Sequence, residues 1–311
     1  MTNKTPLAFI SHSDVGRHDN GWHHPEHVGR IRAITRALRN HPELFTTLEH
    51  IEGRHATAEE IALAHDAGYI AKVRELAEAG GGRFDADTIV SEGSWDAARA
   101  GAGCVLEATE RALDGRNLRS FCAVRPPGHH ALRAQGMGFC LFGNVAIAAH
   151  HARRLGAARV LIVDWDVHHG NGTQSLVEGE PDIHFVSMHQ WPWYPGSGAA
   201  SDRGPHNNVW NVPMAPGLPA RRYIEALLNA VDAATTDWVP QLVLVSSGFD
   251  SIAGDPLGGF TLELADIDRL TRALVQRAED WCDGRLVSVL EGGYEPDRVG
   301  AGVMSHLAAL Q

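Results

Sequence analysis

Six short apolar runs, often β-branched, at 7–10, 121–124, 159–163, 183–187, 242–246 and 286–290, constrain this chain most. Each is too short for a buried helix and reads as a strand covered on both faces. Between them lie stretches with helical spacing. Val28, Ile31, Ile34 and Leu38 recur every three or four positions, with Pro25 near the expected helix start. Leu264, Ile267, Leu270, Leu274 and Ala278 repeat the pattern behind Thr261, a residue suited to capping. Further helices are expected at 95–114, 144–155 and 219–236. Strand and helix in alternation predict an α/β domain with a mostly parallel central sheet and helices on both faces. No repeat or linker interrupts the sequence, so residues 1–311 are expected to form a single domain.

The formal net charge of -11 argues against an electrostatic grip on nucleic acid or an anionic membrane. It leaves cationic partners, or plain solubility, as its use. Cys104, Cys122, Cys140 and Cys282 form no C-x-x-C pair, which fits reduced thiols better than a disulfide framework or a structural zinc knuckle. The apolar run at 7–10 is too short for a signal-peptide core, and no segment reaches the roughly 18 apolar residues of a membrane span. A soluble, cytoplasmic protein is expected.

In a doubly wound sheet, ligands bind outside the carboxyl ends of the strands. The residues there carry chemistry. After 121–124 comes RPPGHH (125–130), which presents His129 and His130 beyond a turn shaped by two prolines and a glycine. They are either incidental loop histidines or a general acid/base pair, since imidazole titrates near neutrality. After 159–163 comes DWDVHHGNG (164–172). Strand alternation sends Asp164, Asp166 and His168 to one side and Trp165, Val167 and His169 to the other. Two neighbouring carboxylates are costly to bury without compensation. A divalent cation supplies that compensation, and a metal-free hydrogen-bonded network is the alternative.

After 242–246 comes SGFDSIAGDPLGG (247–259). Asp250 is nearer the strand exit and is the better ligand candidate, whereas Asp255 suits fixing the turn through backbone N–H groups. Asp166, His168 and Asp250 with an open fourth position match a catalytic zinc better than a closed structural one. The nitrogen ligand favours zinc over magnesium. After 286–290 comes EGGY (291–294), whose glycines permit close approach and leave Tyr294 free to point inward. A phenol there can stabilise an oxyanion. Metal, base and electrophilic helper are the parts of metal-assisted hydrolysis. No G-x-S-x-G occurs, which disfavours a serine hydrolase.

RPPGHHA (125–131), GMGFCLFGN (136–144), DWDVHHGNGTQ (164–174), YPGSG (194–198), SSGFDSIAGDPLGG (246–259) and LEGGY (290–294) make the chain resemble the histone deacetylase family. The likeness covers roughly residues 20–300, and Asn171 points to the class II branch and its bacterial relatives. The resemblance implies the arginase-deacetylase α/β fold and a zinc-dependent deacetylase. It places zinc on Asp166, His168 and Asp250, and water activation on His130. His129 would assist electrostatically, Asp164 and Asn171 would orient the two histidines, and Tyr294 would serve the transition state. Gly138, Phe139, Tyr194 and Leu257 would contact substrate, with Arg30 near an acetate exit. A structural potassium ion would use Asp164, Asp166, His168 and Ser187. The HHPEH run at 23–27 has enough ligands for a metal but is expected to be a loop shaping the pocket entrance. Leucine at 257, where some polyamine-selective relatives carry glutamate, favours acetyl-lysine in peptides or proteins over small acetylated amines. An alternative of another class, a catalytically silent acyl-lysine binding module, is opposed by the intact His129, His130 and Tyr294.

Overall fold

The computed structural model describes residues 5–311. In chain order its strands are β1 (Ala8–Ser11), β2 (Glu49–Glu52), β3 (Gly81–Arg83), β4 (Ile89–Ser91) and β5 (Arg119–Cys122). They continue as β6 (Val160–Asp164), β7 (Ile183–Gln190), β8 (Val209–Met214), β9 (Leu242–Ser247) and β10 (Leu286–Leu290). Eight of them hydrogen bond side by side in the order β2-β1-β5-β10-β9-β6-β7-β8. Every pairing in that sheet is parallel. The hairpin of β3 and β4 stands apart and is antiparallel.

The helices are α1 (Gly29–Arg39), α2 (Pro42–Thr47), α3 (Ala58–Ile61), α4 (Ala67–Glu78) and α5 (Ser94–Leu113). After them come α6 (Asn144–Arg154), α7 (Asn171–Val177), α8 (Ala220–Thr235), α9 (Leu264–Cys282) and α10 (Pro296–Leu310). Strand alternation divides the interior into two cores. Val160, Ile162, Leu242 and Leu244 face α4, α5 and α6, where Val73, Val105 and Ile147 are buried. Leu161, Val163, Val243 and Val245 face α1, α8, α9 and α10, where Ile34, Leu227, Leu270 and Leu307 are buried. The continuous apolar runs thus reflect a sheet covered on both sides.

Two helix starts differ from expectation. α1 begins at Gly29, so Pro25 lies in the preceding loop. α9 is capped by Glu263 in a reciprocal box with Asp266, while the Thr261 hydroxyl donates to the Leu218 carbonyl instead. Leu264, placed on the buried stripe by spacing, is 41% exposed because it opens the helix. Among the described residues all four cysteines are free and buried, and no helix is long and apolar enough to cross a membrane.

Four of the strand exits with chemistry belong to β5, β10, β9 and β6, which are adjacent in the centre of the sheet. Chain order scatters them; sheet order collects them. A buried charge cluster ties the first two together. Arg125, just past β5, contacts Glu26 Oε1 at 2.5 Å and Glu26 Oε2 at 2.8 Å. Arg30 reaches Glu26 Oε1 at 3.1 Å and the Gly293 carbonyl at 2.6 Å, beyond β10. All three side chains lack solvent exposure. Burial alone would raise the Glu26 carboxyl, but Arg125 and Arg30 hold it well below the usual carboxylate range. Removing one partner of such a set leaves charge buried and unpaired. Glu26→Ala is therefore expected to lower unfolding stability by roughly 3–5 kcal/mol in denaturant titration. A change under about 1 kcal/mol, the surface-pair range, would contradict this.

Candidate active site and metal centre

Beyond β6 the side chains keep the strand's two-sided arrangement. Trp165 and Val167 enter the core that faces α8 and α9, while Asp164, Asp166 and His168 turn toward the exits of β5 and β9. His168 Nδ1 lies 2.9 Å from Asp166 Oδ1 and 3.3 Å from Asp250 Oδ2. One ligand atom from each of Asp166, His168 and Asp250 lies within 4.8 Å of the others, and all three residues are buried. The remaining carboxylate oxygens are held by backbone. Val167 N donates to Asp250 Oδ1 at 2.9 Å and Gly292 N to Asp166 Oδ2 at 2.7 Å. Among the described residues, Asp250 Oδ2 has no hydrogen-bond partner.

Burial raises the Asp250 carboxyl to about 7, and the neighbouring Asp166 adds to that. For His168, burial works downward but is outweighed by the two carboxylates, which raise it to about 9. Two carboxylates, one imidazole and an unpartnered buried oxygen are a donor set that a divalent cation satisfies. Gly292 lets the backbone close over them. A Cβ there would run into Asp250 Oδ2 and Asp166 Oδ2.

The adjacent histidines have different partners. His129 Nδ1 is 3.0 Å from Asp164 Oδ2, whereas His130 Nδ1 is 2.7 Å from Asn171 Oδ1. Their rings are 4.0 Å apart between centroids. Burial lowers His129, but Asp166 and Asp164 overcome it and raise the imidazole to about 10. Burial lowers His130 well below its usual value, and the neighbouring imidazoles of His129 and His168 lower it further. Two neighbouring groups pushed in opposite directions are a recurrent arrangement in acid/base sites.

A cavity of about 200 Å³ opens above this floor, lined by His130, Gly138, Phe139, His168, Tyr194, Leu257 and Tyr294, with Asp87 and Trp193 as well. Phe139 meets Tyr294 edge-on at 5.6 Å, and Tyr194 meets His130 at 5.1 Å. Gly138 and Phe139 both have positive φ, 55° and 69°. A Cβ on Gly138 would strike the His130 ring, so glycine is required there. Asp255 accepts from Leu257 N at 2.9 Å and from Tyr294 N at 2.6 Å. It holds the turn rather than joining the ligand cluster.

A family model, the histone deacetylase domain, matches residues 24–310. The chain belongs to the histone deacetylase family. It is 41% identical to an uncharacterized protein of Synechocystis sp., over 98% of this chain and 99% of that one. It is 40% identical to a histone deacetylase-like amidohydrolase of Pseudomonas aeruginosa over 77% of this chain, and spans 64% of that protein's length. The crystal structure of the HDA15 HD domain matches with a TM-score of 0.93 at 34% identity, covering 98% of this chain and 88% of that one. The parallel sheet is that of the arginase-deacetylase fold, and the family is one of deacetylases and amidohydrolases.

The other expected residues are placed as follows. Arg30 does not line the cavity; its donors go to Glu26, Gly293 and the Glu291 carbonyl, and its guanidinium lies 5.2 Å from the Tyr294 ring. Ser187 pairs in register with Asp164 across β6 and β7, and its hydroxyl is 3.0 Å from His189 Nδ1. The 23–27 run forms a loop at the pocket wall, with His24 packed against Phe139 at 4.7 Å. Sequence reasoning missed Asp87, Trp193 and Glu291. Asp87 comes from the turn of the β3–β4 hairpin, and Trp193 directly precedes the YPGSG run without being part of it. Glu291 was visible in LEGGY, but nothing local shows what its side chain reaches.

Gly292→Ala is expected to displace both carboxylates and weaken divalent-metal binding roughly 10–100-fold in equilibrium dialysis, as loss of supporting contacts does. Gly179→Ala, where an added Cβ meets nothing, is the control. Equal affinity in the two variants would contradict the crowding argument.

Proposed function

We propose that this chain is a zinc-dependent deacylase that hydrolyses the acetyl-amide of acetyl-lysine-like substrates. One observation carries the proposal. Two adjacent imidazoles, one on a carboxylate and one on an amide, stand beside an Asp/His/Asp cluster at the floor of an aromatic slot. Asp166, His168 and Asp250 would hold the zinc. When bound, the ion supplies Lewis acidity for the water and the scissile carbonyl.

The Asn171 amide oxygen accepts from His130 Nδ1, so the proton sits there and the Nε2 lone pair is free. His130 Nε2 removes a proton from the attacking water and returns it to the leaving amine nitrogen. His129, paired with Asp164, keeps positive charge beside the reacting centre. Tyr294 donates its hydroxyl hydrogen to the developing oxyanion. Gly138, Phe139, Tyr194 and Leu257 bound the slot that takes the substrate stem and exclude water. A structural potassium ion at Asp164, Asp166, His168 and Ser187 is part of the same proposal. So is a cytoplasmic location, which four buried, unpaired thiols favour.

The acetyl-lysine preference rests on Leu257, which places an apolar wall at the slot. A second reading, a small acetylated amine such as an acetylpolyamine, is favoured by one observation. Asp87 brings an exposed carboxylate to the cavity lining, where it can meet a second cation on the substrate. A panel of acetyl-lysine peptides, longer acyl-lysines and acetylpolyamines, run with and without chelator, decides between them. Chelator-sensitive turnover led by acetyl-lysine is expected, and turnover untouched by metal removal would sink the proposal. Tyr294→Phe is expected to lower kcat by roughly 10²–10³-fold, as for other oxyanion donors, with metal content unchanged. Wild-type kcat in that variant would remove the phenol from the mechanism.

A further inference from the structure

The parallel ladder between β5 and β10 ends at Cys122 and Val289. Beyond it, one chain runs on to His129 and His130 and the other to Tyr294. These groups must face one another across the slot, yet no strand pairing sets their spacing. Glu291 spans the gap. Its Oε2 accepts from Gly128 N at 2.6 Å and from His129 N at 3.1 Å. Its own backbone N donates to the Ser247 carbonyl on β9, and its carbonyl is gripped by Arg30. The next residue, Gly292, donates to Asp166. The Glu291 side chain has no solvent exposure.

We propose that Glu291 is a positioning residue whose carboxylate extends the β5–β10 contact past the strand ends and fixes the His129–His130 loop relative to Tyr294. The proposal rests on the deacylase reading given above and identifies which residue sets the geometry for that site. Glu291 lines neither the cavity nor the Asp166, His168 and Asp250 cluster. Its carboxylate also lies within 4.8 Å of a ring nitrogen of His129, but its hydrogen bonds to the His129–His130 loop are all to backbone. What matters on this account is reach. An acceptor must sit where Oε2 sits, and its charge is secondary.

Two variants separate reach from charge. Glu291→Gln keeps an acceptor at full length and removes the charge; Glu291→Asp keeps the charge and withdraws the acceptor by one methylene. Glu291→Asp is expected to lose at least about tenfold in kcat, since misplacement on the ångström scale costs that much or more. Its KM and zinc content are expected to stay at wild-type values. Glu291→Gln is expected to remain within about threefold of wild type on the same grounds. Amide hydrogen exchange supplies a readout independent of turnover. Gly128 and His129 are expected to be protected in the wild type and in Glu291→Gln, and to exchange faster in Glu291→Asp.

An aspartate variant as active as wild type, or a glutamine variant worse than the aspartate one, would overturn the proposal. So would a loss of kcat that tracks lost zinc, or an aspartate variant that no longer folds, since either makes the residue a structural strut. If the wild type hydrolyses no acyl-amine, the deacylase reading fails instead. The exchange pattern would then still report whether Glu291 holds the loop.

Discussion

Four carboxylates without solvent exposure, those of Asp164, Asp166, Asp250 and Glu291, meet at the ends of three adjacent strands, β6, β9 and β10. Burying one such group is expensive and burying four together is more so. The surroundings are arranged around that constraint. Asp164 is offset by His129 and the Asp166 N–H, and Asp166 by His168 and the N–H groups of His168 and Gly292. Glu291 takes two N–H groups from the turn before His130. Of these four, Asp250 alone keeps an oxygen with no partner among the described residues, and that oxygen faces the imidazole of His168. The compensation is therefore complete except at the point where the proposed cation belongs.

The same arrangement accounts for the glycines and the fold. Four loops can converge on one point only if their parent strands are neighbours, and the order β5-β10-β9-β6 makes them so. They can approach closely only if side chains are absent at the contact. Gly292 above the two aspartates and Gly138 against His130 meet that need. The charged set of Glu26, Arg30 and Arg125 supports the turns from behind, where it carries no access to the cavity.

Much of this was legible in the sequence because the relevant signals are local. A strand buried on both faces is a continuous apolar run, and the residues after it are read directly; all six such runs became strands of the parallel sheet. The edge strands were not legible. β2 is Glu-His-Ile-Glu, half-buried on alternate residues and exposed on the others, and β8 carries Pro213. Edges need no apolar run, and they tolerate proline. Helix starts were misplaced where a cap was supplied by an acidic residue, as at Glu263, instead of the expected threonine. Long-range partners outside the motifs left no trace. Nothing near Glu26 announces that Arg125, 99 positions away, is its counter-ion, and nothing near Glu291 announces the turn 163 positions earlier that it holds.

Asp166, His168 and Asp250 are proposed to hold a zinc ion. Diffraction from crystals of the purified protein, recorded on both sides of the zinc absorption edge, tests it most directly. One strong anomalous peak is expected within bonding distance of those three side chains, roughly 2.0–2.2 Å, with a coordination position open to the cavity. A metal-loaded, active protein with no peak at that point, or with its zinc bound elsewhere, would contradict it.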